Sequence, residues 1–401
     1  MAGETTGGGR PLRVIVVSAV IDPELGGPAT VVGQHLRALR RAGVEATLFG
    51  VADAARLPVL RGLYPEARLF PFAFPGRWFR GAGLEAALMA AVPECDLIHA
   101  HMLWDHAVWA AWRAADKRRR PFVVTPHGSL MEPWRYQSWH KRLYRRLVVD
   151  PMLARTACVH VLTPHEALAC GQAGVSAPLR VVPNFVEEET LAIGVAENRI
   201  GLARRAVARW PELAGREVLL YLGRLWEGKG VMDLLEAWAN PSGHSRRQGW
   251  LLVLAGADYK GCRARVERRI RAADLTGKVI LTGPVQGADK AALLACASGF
   301  VQPSHSEGLS MALLEAMAAG LAAVFTQECH FSELAQAGGG IEVSMGEEGI
   351  TRGLEALLAM SPQERARMGE AARDLARNRF SMNGIASELL FLYNECIKKF
   401  N

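Results

Sequence analysis

Short, continuous runs of apolar and β-branched residues punctuate this chain, each followed by a stretch with helical spacing, and the series runs twice. The first series holds "LRVIVVSAV" (12–20), "EATLFG" (45–50), "DLIHAH" (96–101), "FVVTPHG" (122–128), "ACVHVLT" (157–163) and "LRVVPN" (179–184), with "PATVVGQHLRALRRAG" (28–43) as the helix after the first strand. Strands without alternation are covered on both faces, so they belong to a parallel sheet with helices on each side. Strand and helix in alternation make a doubly wound α/β domain. The series restarts at "EVLLYLG" (217–223) and continues through "GWLLVLAG" (249–256), "KVILTG" (278–283), "GFVQP" (299–303) and "LAAVFT" (321–326). A chain of 401 residues is too long for one ordinary core and suits two domains. Residues 185–216, charged and poor in strand formers, are expected at the junction.

The predicted organisation is a tip at 1–11, a first domain at 12–200, a second at 201–380 and a helix at 381–401. The last segment, "SMNGIASELLFLYNECIKKF", sets Ile385, Leu389, Leu390, Tyr393 and Ile397 at helical spacing. It reads equally as an ordinary terminal helix or as one that packs back on the first domain. The tip, "MAGETTGGGRP", is expected to be disordered, and it lacks the basic and apolar regions of a signal peptide. No apolar run reaches the length of a membrane span. Seven scattered Cys without a CxxC pair argue against disulfides or a zinc site, so a cytoplasmic protein is expected.

Two such domains are expected to face each other across a cleft, with ligands at the C-terminal ends of the strands. After the strand at 217–223 comes "GRLWEGKG". Its Arg224 and Lys229 are cations in a glycine-rich loop, suited to phosphate oxygens, with a helix N-terminus following. As surface cations they would simply be solvated. After 299–303 comes "HSEGLSMALLEAMAAG". Glu307 is expected in the loop, Gly308, Leu309 and Ser310 in the first turn of a helix, and Glu315 two turns on. Eight helical residues separate the carboxylates by about 12 Å, too far for a glycosidase-type couple. In the first domain Gly26 and Gly27 open the first helix, His101, Trp104 and Asp105 follow one strand and His127 another. Histidines at two strand ends beside an aromatic ring and a carboxylate suit a polyol-binding wall. His99 is expected to point away from His101, which removes the HxH pair as a metal site. No DxD, HExxH, GxSxG or Walker sequence is present, and no metal is expected.

With these residues in place, the chain resembles the family-four retaining glycosyltransferases of GT-B architecture, two Rossmann-like domains with a C-terminal helix crossing back to the first. "GRLWEGKG" resembles the family's diphosphate loop, and "PSHSEGLSMALLEAMAAG" its E-x7-E segment. "GGPATVVGQHLRALRRAG", "DLIHAHMLWD", "TPHGSLMEPW" and "VVPNFVE" match further segments in order, over roughly residues 12–398. Ala322 and Phe185 depart from the family's usual Pro and Gly. The resemblance implies a nucleotide diphosphate sugar as donor, no cofactor, and retention of anomeric configuration. It gives Arg224 and Lys229 the diphosphate, and Gly27 and the amides of Gly308 to Ser310 a contact with phosphate or sugar. Glu307 takes the sugar hydroxyls and Glu315 the ribose. His127 is placed near the reacting sugar, and Val285 at the nucleobase.

The net charge is +7, yet residues 113–155 alone hold eleven Lys and Arg against three acidic residues. Within this window "WHKRLYRRLV" (139–148) divides on a helical wheel. Trp139, Leu143, Tyr144, Leu147 and Val148 lie on one side; Lys141, Arg142, Arg145 and Arg146 lie on the other. Two readings fit: a helix on an anionic membrane, or a core-packed helix with a solvated basic face. The resemblance favours the membrane, with a glycan or lipid-linked acceptor of the surface polysaccharide or lipopolysaccharide kind. No aromatic-interleaved motif points to nucleic acid. Two other functions fit the pattern. A non-hydrolysing nucleotide-sugar epimerase would isomerise donor alone, and a non-catalytic sugar-nucleotide or membrane-binding protein would have no activity to lose.

Overall fold

A computed structural model describes residues 10–73, 78–131, 138–240 and 247–400. The chain forms two compact units, Met1–Asn184 with Asn383–Asn401, and Phe185–Met382. Unit 1 contains β1 (Arg13–Ser18), β2 (Glu45–Ala52), β3 (Arg68–Pro71), β4 (Leu97–His101), β5 (Phe122–Thr125), β6 (Cys158–Val161) and β7 (Leu179–Val181), all parallel, in the order β3-β2-β1-β4-β5-β6-β7. Every residue of β4 and β5 is buried, which is why these segments read as continuous apolar runs. The sheet's order reverses between β1 and β4, so the loops after these two strands splay apart and leave room for a ligand.

Unit 2 contains β8 (Glu217–Leu222), β9 (Trp250–Ala255), β10 (Val279–Gly283), β11 (Gly299–Gln302), β12 (Ala323–Thr326) and β13 (Gly340–Val343), in the order β10-β9-β8-β11-β12-β13. Here the reversal falls between β8 and β11, whose following loops carry Arg224 and Lys229 on one side and Glu307 on the other.

Several expectations change. The junction lies at 184/185 rather than 200/201. The charged segment after it forms the helices Glu188–Ile193 and Ala196–Arg209, which pack within unit 2. Arg199 anchors them by donating to the carbonyls of Ala295 and Ala297 at the end of the helix Gly287–Cys296. Residues 1–9 lie outside the described residues. Arg10, expected in a disordered tip, forms a two-pronged ion pair with Asp96. The helix Met382–Phe400 joins unit 1 from Asn383 onward, burying Ile385, Leu389, Tyr393 and Cys396.

The basic segment also differs from one of its two readings. The helix Trp139–Tyr144 runs into a wide π-type turn, Arg145–Val149, and then the helix Asp150–Ala154. Trp139 is 71% exposed, Leu143 48% and Leu147 65%. These three stand four residues apart and form one outward apolar stripe, so this face is not packed in the core. Tyr144, Arg145 and Val148 are half-buried, while Lys141, Arg142 and Arg146 flank the stripe in solvent.

Candidate functional site

In unit 2 the loop after β8 turns through Glu227–Lys229 and enters the helix Val231–Ala239 at Gly230. Gly230 has φ +66, and a Cβ there would lie 1.7 Å from the carbonyl oxygen of Pro303, so only glycine lets this loop lie against the one after β11. The His305 amide donates to the Gly228 carbonyl and fastens the two loops. This brings the Lys229 ammonium 2.6 Å from the Glu307 carboxylate. The same oxygen of Glu307 accepts from the Ser304 hydroxyl at 2.7 Å and the Gln302 amide at 3.3 Å. Glu307 is 8% exposed, and a carboxylate this buried needs such partners. Behind it lies Cys329, whose thiol is pushed up to about 12, first by burial and then by the Glu307 charge.

Arg224 takes a different position. Its guanidinium lies 5.0 Å from the ring centre of Tyr259 and 6.0 Å from that of Trp226. The two rings meet edge to face at 5.7 Å and steady the cation. Its backbone is held by the Tyr221 hydroxyl, which donates to the Arg224 carbonyl at 2.9 Å.

Gly308, Leu309 and Ser310 precede the helix Met311–Ala318 instead of forming its first turn. Ser310 is the N-cap: its backbone is extended and its hydroxyl accepts from the Leu313 amide, a role for which serine is better suited than for a helix interior. Glu315, also 8% exposed, lies 2.6 Å from the ammonium of Lys290. Lys290 stands in the first turn of the helix Gly287–Cys296, directly after the half-buried Val285. Sequence reasoning missed Lys290, Gln302 and Ser304. Gln302 and Ser304 were within reach of the argument, since a buried glutamate at a strand end calls for donors nearby, whereas Lys290 has no local signature.

In unit 1 the loop after β1 turns at Pro23–Leu25 and starts the helix Gly27–Arg41, with Gly26 as N-cap at φ +102. Asp22 anchors the turn through Arg56 at 2.6 Å, and that guanidinium holds the Asp22 carboxyl below its ordinary range. At the ends of β4 and β5, Met102 at φ +80 and His127 at φ +52 both adopt left-handed backbone, which is uncommon for non-glycine residues. The turn at His127 is held by Glu166, fully buried, which accepts from the amides of Gly128 and Leu162.

The expected acceptor-side residues have other roles. His101 is fully buried, and its Nδ1 lies 2.9 Å from Nε2 of His127. Asp105 caps the helix His106–Arg118 by accepting from the Val108 amide. Burial pushes Asp105 up to about 7 while the amides of Val108 and Ala107 hold it down. Trp104 alone of the three is partly exposed. His99 does not point away from His101: their rings stack at 4.5 Å. A strand repeats every two residues, so positions i and i+2 share a face.

His99 belongs to a hydrogen-bonded chain whose tautomers follow from its end. His160 Nε2 must donate to the Val182 carbonyl, so its Nδ1 accepts from the Thr125 hydroxyl. The Thr125 oxygen then accepts from His99 Nε2, and His99 Nδ1 accepts from the Tyr393 hydroxyl at 2.7 Å. His35, His99 and His101 bring one ring nitrogen each within 4.8 Å of the others. Both ring nitrogens of His99 are already engaged in hydrogen bonds, to Tyr393 and Thr125.

Residues 26–184 match the glycosyl transferase 4-like domain, and residues 203–375 match the glycosyl transferases group 1 family. Both halves of the chain thus match glycosyltransferase families. The chain is 25% identical over 273 residues to the GDP-mannose:cellobiosyl-diphosphopolyprenol alpha-mannosyltransferase of Xanthomonas campestris, covering 66% of each chain. It is 27% identical over 258 residues to the 2-deoxystreptamine glucosyltransferase of Streptomyces kanamyceticus, covering 59% of this chain and 63% of that one. The chain thus spans just under two thirds of the length of these curated relatives. Among solved structures, Anabaena HepE in complex with UDP and glucose superposes with a TM-score of 0.77 at 20% identity, over 96% of this chain and 99% of that one. The fold is therefore that of the GT-B glycosyltransferases, two parallel α/β sheets with flanking helices.

Proposed function

We propose that the protein is a retaining glycosyltransferase that moves a hexose from a nucleotide diphosphate donor to a glycan or lipid-linked acceptor. The observation that carries this reading is the Lys229–Glu307 pair at the switch point of unit 2, inside the matched family region. Cleavage of a glycosyl–phosphate bond builds positive charge on the sugar and negative charge on the diphosphate. Lys229 and Arg224 are the cations for the diphosphate, and fixed cations at a leaving group stabilise the transition state. As the diphosphate draws Lys229 away, the Glu307 carboxylate is released to accept from sugar hydroxyls. Glu315 takes the ribose in the same manner beside Lys290, Val285 meets the nucleobase, and the amides of Gly308 to Ser310 approach phosphate or sugar. With the leaving charge met by side chains, the reading calls for no metal and no cofactor.

Relatives support a hexose donor without fixing the nucleotide. The Xanthomonas enzyme is described with GDP-mannose, and the Anabaena structure holds UDP and glucose. Thermal unfolding with UDP-, GDP- and ADP-sugars separates these. A donor at a hundredfold its Kd adds about 2.7 kcal/mol, and the absence of a shift with all three at saturation would refute the reading.

The acceptor side is proposed to work at an anionic bilayer. No described helix is long and apolar enough to cross a membrane. Trp139, Leu143 and Leu147 instead form an outward apolar stripe between Lys141, Arg142 and Arg146, the arrangement of a helix lying in a lipid headgroup layer. This reading makes the protein peripheral at the inner face of the plasma membrane, with acceptors of the surface polysaccharide or lipopolysaccharide kind. Co-sedimentation with phosphatidylglycerol vesicles, lost with Leu147→Glu and absent with phosphatidylcholine, tests it.

A further inference from the structure

His127 makes one hydrogen bond among the described residues, to His101. The two rings lie nearly parallel, 24° apart with centres at 5.1 Å. One proton is shared along this contact, and which ring owns it determines what His127 offers to a ligand. If His127 Nε2 donated, His101 Nδ1 would accept, and the His101 proton would sit on Nε2. That nitrogen is buried and has no hydrogen-bond partner among the described residues. A buried N–H without an acceptor is rarer in folded proteins than an acceptor without a donor. The opposite arrangement leaves only a lone pair on His101 Nε2. His101 Nδ1 then donates to His127 Nε2, and the His127 proton moves to Nδ1.

We propose that His101 is a positioning residue that holds His127 as its Nδ1–H tautomer, so that His127 meets a ligand oxygen as a hydrogen-bond donor and not as a base. The oxygen it suits is a sugar hydroxyl or a phosphate oxygen of a substrate, and this part rests on the function proposed above. The surroundings support the assignment. The loop carrying His127 is strained at φ +52 and clamped through Gly128 to Glu166, so the ring has little freedom to turn and exchange its nitrogens. His101 is fixed on the other side by the His99 ring at 4.5 Å and the His35 ring at 5.3 Å. An unconstrained neutral histidine favours the proton on Nε2, so the inferred state is the one that free solution disfavours.

Nitrogen-15 NMR of the histidine side chains in the full-length wild-type protein reads the tautomer directly. The expected result is a protonated Nδ1 and a pyridine-type Nε2 on His127; a protonated Nε2 overturns the proposal whether or not the protein transfers sugar. The functional half is read with His101→Asp, His101→Asn and His101→Leu. Aspartate accepts from His127 and draws its proton to Nε2, and leucine leaves the tautomer unset. Asparagine keeps an N–H where His101 Nδ1–H stands. The kcat should fall about 10- to 100-fold in the aspartate and leucine variants, with donor KM changed less, and recover in the asparagine variant. A kcat equal in the asparagine and aspartate variants overturns that half. Absence of transfer with wild type counts against the proposed function and leaves the NMR result to stand or fall by itself.

Discussion

Lowering the pH should destabilise unit 1 selectively, because its sheet buries a cluster of neutral imidazoles. His160 is held at about 4 by burial, against 6.5 for the ordinary side chain. Burial, followed by the charges of neighbouring histidines, also lowers His35, His99 and His101. His127, half-buried, is lowered to about 3. A group that is harder to protonate when folded contributes stability that is fully present above 6.5 and lost as the pH falls toward its folded value. At pH 5.5 the unfolded chain holds about 0.9 of a proton on His160 that the folded chain lacks. Asp105, raised to about 7, has the opposite sign and takes back about one proton. Glu166, raised by burial, acts in the same direction as Asp105. His160 and Asp105 thus nearly cancel, and the other four histidines together with His106, which burial also lowers, against one glutamate decide the sign. Each net proton steepens the dependence by about 1.4 kcal/mol per pH unit. The expected slope for unit 1 at pH 5.5 exceeds that one-proton value. Hydrogen exchange of peptides from β4, β5 and β6, corrected for the intrinsic rate, measures it between pH 7.5 and 5.0. Opening free energies that stay flat or rise toward pH 5.0 would refute the assignment of neutral, buried rings.

Tyr393→Phe removes the donor to His99 Nδ1 and should cost about 1–3 kcal/mol in the urea unfolding of unit 1. Phe391→Ala, 64% exposed on the same helix, should stay within about 0.5 kcal/mol. Gly230→Ala places a Cβ 1.7 Å from the Pro303 carbonyl, so unit 2 should lose more than about 3 kcal/mol and donor binding with it. Gly287→Ala, at φ +51 with nothing within 4 Å, should cost only about 1 kcal/mol by thermal unfolding. Glu307→Gln should lower the transfer rate by about 10²–10³ and Glu315→Gln by less, mainly through donor KM. Equal losses in a transfer assay would contradict the separate sugar and ribose roles.

The central strands were legible because burial on both faces writes itself as an unbroken apolar run, as in "LRVIVVSAV" and "EVLLYLG". The edge strands β3 and β13 escaped. "RLFP" and "GIEV" are short and none of their residues is fully buried, so they carry little pattern. The loop placement of Arg224, Lys229 and Glu307 was legible from the strand ends, and that of Glu315 from the helix that follows. Their partners were not, because the Lys290–Glu315 contact depends on where two helices start. Ser310 illustrates a smaller limit, since a serine before an apolar run is as good a helix cap as a helix residue. The face of His99 was a matter of strand periodicity, and the two-residue repeat already contained the answer.

The contact between Tyr393 and His99 joins residues 294 positions apart. When a ribosome has delivered Asn184, all seven strands of the first sheet exist, but the hydroxyl that completes the β4–β5–β6 polar chain does not. The whole of Phe185–Met382 must be made before residues 383–401 emerge. At about 5–20 residues per second that interval lasts about 10–40 s. The first unit is therefore begun first and completed last. The second unit can close while the first still waits, with its sheet exposed to chaperones and proteases for as long as translation of the intervening segment takes.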